Sequence, residues 1–380
     1  MTSKVLYSIE GRWRVIVALI SAIGWFSRLF SSMVPATRLH RSDRVVLFTT
    51  AARLTDDGKM WICPIHGWVH QPAFDSLIRQ IFLSSLVWFL GLPPDGNQAQ
   101  TLRQRLGWFL VDNKRKRRLK VLVGHQRFDV GPSDLSGHFR AEPLLEPAFV
   151  QRVGNNGVLE IEVLSPNHPD RTFVGMALLL PPVGLSVISD VDDTVKDSCV
   201  LNKIKLLENT FLMPYQAVTG MANAYRCLAD KGATFHFVSC SPWHLYPTFD
   251  AFLTENGFPS ATMTMKRLRL KDSSMKEFLS SPEEFKVPRI FSMIRAFPHR
   301  QFLLIGDSGE KDPEVYGQIA RLCPNQVIGI FIRNVTGESV ESVRLQSAFR
   351  EVPAGQWKLF TDARELIDYG SVIPGSVGGK

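Results

Sequence analysis

The chain has 380 residues, 45% of them apolar, and a formal charge of +8 at pH 7. Such a chain can bury a sizeable core and has room for two or three domains, which excludes a disordered, low-complexity protein. The basic balance favours an acidic partner: nucleic acid, an anionic membrane surface or a phosphorylated substrate.

Arg12 and Arg14 precede an apolar run over residues 15–26, which Arg28 interrupts. The run is short for a bilayer span, and no small-x-small cleavage site follows it. It fits a helix lying in the membrane interface, anchored by Trp13, Trp25 and Phe30; the competing reading is a helix packed on the protein itself. Residues 1–44 are set apart on this ground.

Residues 45–69 alternate apolar and polar side chains around the turn Asp56-Asp57-Gly58, which predicts two or three strands. Residues 74–90, "FDSLIRQIFLSSLVWFL", read as a nearly continuous apolar helix stopped by Gly91 and Pro93-Pro94. Its length, with Asp75 and Arg79 inside it, makes it a core or partner-facing helix rather than a span. Strand-like runs resume at "LGWFLV" and "LKVLVGHQ", joined by "DNKRKRR", and continue through "GVLEIEVL" and "FVGMALLLPP". The expectation is a β-rich, sandwich-like accessory domain over 45–182 with a helical insertion at 74–90.

Beyond Pro182 the pattern changes. The runs "LSVISD", "TFHFVSCS", "QFLLIGDS" and "VIGIFIR" alternate with the helical stretches "AVTGMANAYRCLADKG" and "VPRIFSMIRAF". This is the text of a parallel α/β domain, placed at 183–369. The closing stretch, 370–380, reads as a disordered tail. The five cysteines are scattered without zinc-like spacing and read as reduced thiols, which points to the cytoplasmic side.

The stretch "VISDVDDTVKDS", residues 187–198, crowds Asp190, Asp192 and Asp193 at the end of an apolar strand. A hard divalent cation such as Mg²⁺ would relieve their repulsion, especially with the phosphate of a substrate beside it. Ligands of open parallel sheets bind at the carboxyl ends of the strands. The later runs also end in polar residues, Ser239-Cys240-Ser241 and "GDSGEKD" at 306–312. In a strand, residues two apart share a face, so Asp190 and Asp192 can address one reacting centre. One can attack phosphorus while the other protonates the leaving oxygen and later activates water.

D-x-D-x-T after a strand, a strand ending in Ser, a lysine before a helix, then G-D-x-x-x-x-D is a motif order that resembles the haloacid-dehalogenase-like phosphatases. The resemblance implies a Rossmann-like α/β fold with Asp190 as nucleophile, Asp192 as general acid/base and Thr194 as a supporting hydroxyl. It implies Ser239 and Lys286 as phosphate ligands, the choice of Lys286 over Lys271 and Lys276 resting on Pro288 as a helix start. Mg²⁺ would be held by the carboxylates of Asp190 and Asp307 and the backbone carbonyl of Asp192, with Asp312 orienting the site. Longer stretches, "ISDVDDTVKDSCV", "FVSCSPWHLYP", "FLTENGFP" and "FPHRQFLLIGDSGEKDPEVY", resemble the actin-patch-protein-type phosphatidate phosphatase family, whose members dephosphorylate phosphatidate to diacylglycerol with Mg²⁺.

Only residues 196–234 and 241–285 are available for a capping insertion, and core helices need much of each. Such an open site suits a phosphate carried on something large. Two basic runs, 113–118 and 265–271, bear on what that is. Lys266, Arg267 and Arg269, alternating with Leu268 and Leu270, suit a headgroup–acyl boundary, where each basic residue contributes about 1 kcal/mol at an acidic surface. Trp243 is a further candidate for lipid contact; core packing of Trp243, Tyr246 and Phe249 is the alternative. No recognition helix or stacking platform accompanies the basic runs, so no nucleic-acid partner is expected. The expectation is a Mg²⁺-dependent phosphatidate phosphatase, cytoplasmic and peripherally bound to a membrane. The rivals are a phosphatase of the same mechanism acting on phosphoprotein or nucleic-acid ends, and a lipid-binding scaffold with a vestigial site.

Overall fold

The structure, a computed structural model, describes residues 37–72, 76–165, 171–266 and 281–372. The apolar run 15–26, Arg267, Arg269 and residues 373–380 lie outside them. The protein is mixed α/β and divides into two compact units. The described residues up to Leu179, with Thr210–Pro214, form the first; Leu180–Asn209, Tyr215–Lys266 and residues 281–372 form the second.

The first unit holds strands β1 (Arg44–Leu47), β2 (Thr50–Leu54), β3 (Trp61–Ile62), β4 (Ile65–Gln71), β5 (Asp112–Asn113), β6 (Arg118–Val123), β7 (Gln126–Pro132), β8 (His138–Ala141), β9 (Leu144–Leu145), β10 (Val158–Val163) and β11 (Phe173–Leu180). They make a seven-stranded sheet ordered β7-β6-β10-β11-β2-β3-β9, and a second sheet in which β4 pairs β1, β5 and β8. Strand alternation sends Val45 and Leu47 of β1, Ile65 and Val69 of β4, Leu119, Val121 and Val123 of β6 and Leu159, Ile161 and Val163 of β10 into one core. The predicted helix at 74–90 appears as Leu77–Phe89. "LGWFLV" is not a strand: Leu106 and Gly107 close a helix, Asn97–Gly107, and a turn follows. Leu102 and Leu106, one helical turn apart, both pack inward, so the run's apolar start belongs to a period of 3.6. The basic run 113–118 is partly tied down, with Lys114 2.5 Å from Asp112 and Arg117 2.7 Å from Asp43.

The second unit is built on six parallel strands, β12 (Gly184–Ser189), β13 (Thr234–Pro242), β14 (Ala261–Lys266), β15 (Arg300–Asp307), β16 (Val327–Arg333) and β17 (Trp357–Phe360), ordered β14-β13-β12-β15-β16-β17. Their near-continuous apolar text reflects burial on both faces. The sheet grows outward from β12 through β13 to β14, and then resumes on the other side of β12 with β15. Between β12 and β15 the carboxyl ends therefore open a crevice at a topological switch point, where ligands of such sheets bind. Helices Met221–Ala229, Tyr246–Glu255, Pro282–Ala296 and Asp312–Leu322 connect the strands. Pro288 lies inside the third of these rather than at its start. Ser281 caps that helix in a reciprocal box with Glu284, and Pro282 takes the first turn, where its missing N–H costs nothing.

Candidate active site

β12 delivers Asp190 one residue beyond its last strand position, and the neighbouring strand β15 ends on Asp307 across the switch point. The Asp190 N–H donates to the Ile305 carbonyl at 3.0 Å, which fixes the chain as it leaves the strand. Helix Asp312–Leu322 begins with Asp312 and helix Pro282–Ala296 contributes Lys286, both fully buried. The Lys286 ammonium donates to Asp190 Oδ1 at 2.7 Å and Asp312 Oδ1 at 2.5 Å, and stands 3.6 Å from Glu310 Oε2. Gly306 makes the arrangement possible. A Cβ there would lie 2.3 Å from Asp312 Oδ2, so only a hydrogen fits between strand and carboxylate.

Three carboxylates thus pair with one ammonium, and a fourth, Asp307, lies beside Asp190 and Asp312. Asp190 Oδ2 and Asp307 Oδ2 are buried and accept no hydrogen bond among the described residues. The other Asp307 oxygen accepts from the Gly309 and Glu310 N–H groups at 2.6 and 3.1 Å. Burial first, and then the like charges of Asp312, Glu310 and Asp307, push Asp190 well above the usual carboxylate range. Asp307 is raised for the same reasons, burial leading. Burial alone would lower Lys286, but Asp190, Asp312 and Glu310 outweigh it and hold it well above the usual lysine value. Oxygens of Asp190, Asp307 and Asp312 lie within 4.8 Å of one another. This all-oxygen set with two orphaned atoms fits a hard divalent cation, and a cation would reverse the upward pKa shifts.

Asp192 is turned to different partners. Lys196 Nζ and Ser198 Oγ each donate to its Oδ1 at 2.6 Å, and Ser241 Oγ donates to Oδ2 at 3.1 Å. Burial would raise this carboxyl, but Lys196 and the three donors hold it below the usual range. Its side chain is therefore not one of the acidic trio. Lys196 is itself buried, with its ammonium 4.8 Å from the Tyr215 ring and 5.8 Å from that of Phe249. Asp193, the third acid of the opening motif, is a loop organiser. At a left-handed φ of 52°, it accepts backbone N–H bonds from Ser198, Cys199 and Val200 at 2.7, 2.8 and 2.6 Å. Arg333, ending β16, donates to the Asp193 carbonyl at 2.7 Å.

Of the other expected site residues, Thr194 is buried with its hydroxyl unpaired among the described residues, and Ser239 is buried with its hydroxyl accepting the Ser241 N–H at 3.0 Å. Lys266 closes β14 and is 4% exposed, its ammonium 5.5 Å from the Phe285 ring; Trp243 is 9% exposed. Neither stands on an open surface of the kind expected for lipid contact. Sequence reasoning passed over Lys196 and Ser198, and gave Ser241 and Glu310 a place at the polar strand ends but no role. The only signal for the first two was a lone lysine and serine spaced four and six residues after Asp192.

Comparison with known proteins bears on this unit. Residues 185–334 match the family model described as phosphatidate phosphatase APP1, catalytic domain. Phosphatidate phosphatase APP1 of Saccharomyces cerevisiae is 31% identical over 156 residues, 40% of this chain and 26% of that protein. An uncharacterized protein of Schizosaccharomyces pombe is 30% identical over 212 residues, 54% of this chain and 34% of that protein. The matches span about a third or less of these curated relatives. Among solved structures, a β-glucuronidase of Parabacteroides merdae aligns at 11% identity over 77% of this chain and 35% of that one, with a TM-score of 0.24, too low to carry any argument. The switch-point crevice with its acids thus lies inside residues 185–334, the segment that is similar to the catalytic domain of the APP1-type phosphatidate phosphatase family.

Proposed function

We propose that the chain is a Mg²⁺-dependent phosphatidate phosphatase of the haloacid-dehalogenase-like kind, cytoplasmic and working at a membrane surface, with the first unit a sandwich-like accessory domain. The observation that carries this reading is the pair of buried, partnerless oxygens on Asp190 and Asp307, set around Lys286 at the switch point of a domain matched to that family. Asp190, Asp307 and the Asp192 carbonyl would hold the cation, which when bound offsets charge on the phosphate and on the acids.

Asp190 attacks phosphorus through a carboxylate oxygen, and the bond from phosphorus to the glycerol oxygen breaks. The proton carried by the phosphate monoester monoanion passes to that oxygen by way of the Asp192 carboxylate, so diacylglycerol leaves as a neutral alcohol. Lys196, 2.6 Å from Asp192 Oδ1, holds Asp192 ionised, so that it can take up a proton in each half of the reaction. Asp192 then removes a proton from water, whose oxygen attacks the aspartyl phosphate and returns Asp190 with release of inorganic phosphate. Lys286 and Ser239 face the phosphate oxygens, and Lys286 orients Asp190 by holding its other oxygen.

Phosphate release by the full chain from phosphatidate in mixed micelles tests this reading. EDTA should abolish it, Mg²⁺ should restore it, and a phosphopeptide or 3′-phosphorylated oligonucleotide should be turned over poorly. Full activity in verified metal-free protein, or preference for either other substrate, would overturn it.

A further inference from the structure

The helix Leu77–Phe89 in the first unit is apolar on two sides. Leu83, Leu86 and Val87 face inward and are buried. At 100° per residue, Leu77, Ile81, Trp88 and Ile78 fall together on the opposite side, and they are 70%, 58%, 82% and 80% exposed. Isolated exposed apolar residues are ordinary on a protein surface, but four large ones on one face of one helix form a contiguous patch that marks a contact.

The character of the patch points to one kind of partner. Between residues 76 and 94 there is no carboxylate, and Arg79 is the single charge. Ser85, which shares the exposed face, donates its hydroxyl to the Ile81 carbonyl at 2.9 Å, so this polar group is satisfied within the helix. That is a requirement of hydrocarbon surroundings, where water cannot complete a hydrogen bond. Trp88 in the last turn supplies an amphipathic ring of the type that settles at headgroup level. Thirteen residues give a helix of about 20 Å, against a hydrocarbon core of about 30 Å, so the helix can lie in the interface and cannot cross. No helix among the described residues is long and apolar enough to span a membrane.

We propose that the outer face of Leu77–Phe89 is a bilayer-docking surface that enters the headgroup–acyl boundary through Leu77, Ile78, Ile81 and Trp88. The partner is a phospholipid surface, and its relevance to turnover rests on the reading of the catalytic unit as a lipid phosphatase. Docking there retains the enzyme on the surface where its substrate is embedded.

The test is co-sedimentation of the full chain with phosphatidylcholine vesicles containing phosphatidate, beside phosphate release from detergent-dispersed short-chain phosphatidate. The paired substitution Ile78→Glu and Ile81→Glu should lower vesicle partitioning by about tenfold or more, because a charge placed at the acyl boundary opposes insertion. Micellar turnover should stay unchanged. Ile81→Ser gives a milder loss in the same direction and serves where the charged pair disturbs the helix. Vesicles with brominated acyl chains should quench part of the tryptophan fluorescence, and Trp88→Phe should remove that part. Unchanged partitioning of the folded paired variant overturns the docking surface. So does a parent chain that sediments as a dimer and a paired variant that sediments as a monomer with vesicle binding intact, which would make the face an interface between copies. A folded parent chain that binds vesicles through this face but releases no phosphate from any phosphatidate preparation would leave the docking surface standing and overturn the proposed activity instead.

Discussion

The parallel sheet of the second unit carries a buried polar cluster at each end, and the two obey different rules. At the amino ends of the strands, Arg300 is 1% exposed and has no carboxylate beside it among the described residues, yet its donors are all engaged. Nε donates to Ser186 Oγ at 2.9 Å; Nη1 reaches the carbonyls of Pro181 and Val183 at 2.8 and 3.3 Å; Nη2 reaches the Leu185 carbonyl and Thr234 Oγ1 at 2.6 and 3.1 Å. His236 joins the network through Thr262 Oγ1 at 2.8 Å and Ser186 Oγ at 3.3 Å. At the carboxyl ends, three carboxylates pair with one lysine, Asp307 stands beside them, and one oxygen each of Asp190 and Asp307 has no partner among the described residues. A satisfied buried network ties strands together, and an under-satisfied one marks the place where something else must bind. The polarity of the sheet separates the two, with a satisfied network at one end and the proposed chemistry at the other.

The sharpest way to break this contrast is to neutralise one residue at each end. Asp190→Asn keeps the shape of the side chain and removes the proposed nucleophile, so phosphate release should fall by at least about 10³-fold. The thermal midpoint should hold or rise, because one of four repelling carboxylates is gone. Measurable turnover near the parent rate in a folded Asp190→Asn protein would remove Asp190 from the reaction. A large fall in its midpoint would show that the acidic end also serves stability.

Arg300→Met should do the reverse. It leaves the carbonyls of Pro181, Val183 and Leu185 and the hydroxyls of Ser186 and Thr234 short of a donor, at about 1–3 kcal/mol for each group left unsatisfied. Some will find water, and a net loss of about 3–5 kcal/mol is expected from denaturant unfolding, with specific activity of the folded fraction within about twofold of the parent. A stable Arg300→Met protein would mean that the network is dispensable, and a stable but inactive one that the two ends are coupled.

Much of the chemical end was legible in the sequence, because catalytic side chains of such sheets follow apolar runs, and the runs ending at Ser189 and Asp307 are long and clean. Asp307 and Asp312 stood together in the polar stretch that closes the second of these runs, and the structure places Asp312 at the start of the next helix. The structural end was not legible. Ser186, Thr234, His236 and Arg300 come from three strands, and none is distinctive in its local text; they meet only through the register that sets Gly184 opposite Arg300 and Ser186 opposite Thr234. β14 and β17 also escaped notice, one mixing Thr with Met and the other four residues long, since short or mixed runs carry little periodic signal. Lys196 was hidden for a different reason. A single lysine after three acids reads as ordinary charge balance until the loop organised by Asp193 folds it back onto Asp192.

The two ends should also respond oppositely to acid, and this is the finest test of the comparison. Burial, and then the neighbouring Arg300, lower His236 from 6.5 to about 3. Between those values the unfolded chain binds the proton and the folded chain does not, so the stability contributed by His236 is complete above pH 6.5 and is lost as pH falls towards 3. At pH 5 the loss from this group is about 2 kcal/mol relative to pH 7. Asp190 and Asp307 are raised above the unfolded carboxylate value, so in metal-free protein the folded state binds the extra protons and these groups favour folding as pH drops. His236→Gln should therefore flatten the loss of stability between pH 7 and 5 in chelator, whereas Asp190→Asn should steepen it. The measurement is denaturant unfolding of both variants and the parent across that range. Parallel curves for His236→Gln and the parent would show that the histidine gains its proton in the folded state, which requires water to enter the network around Arg300.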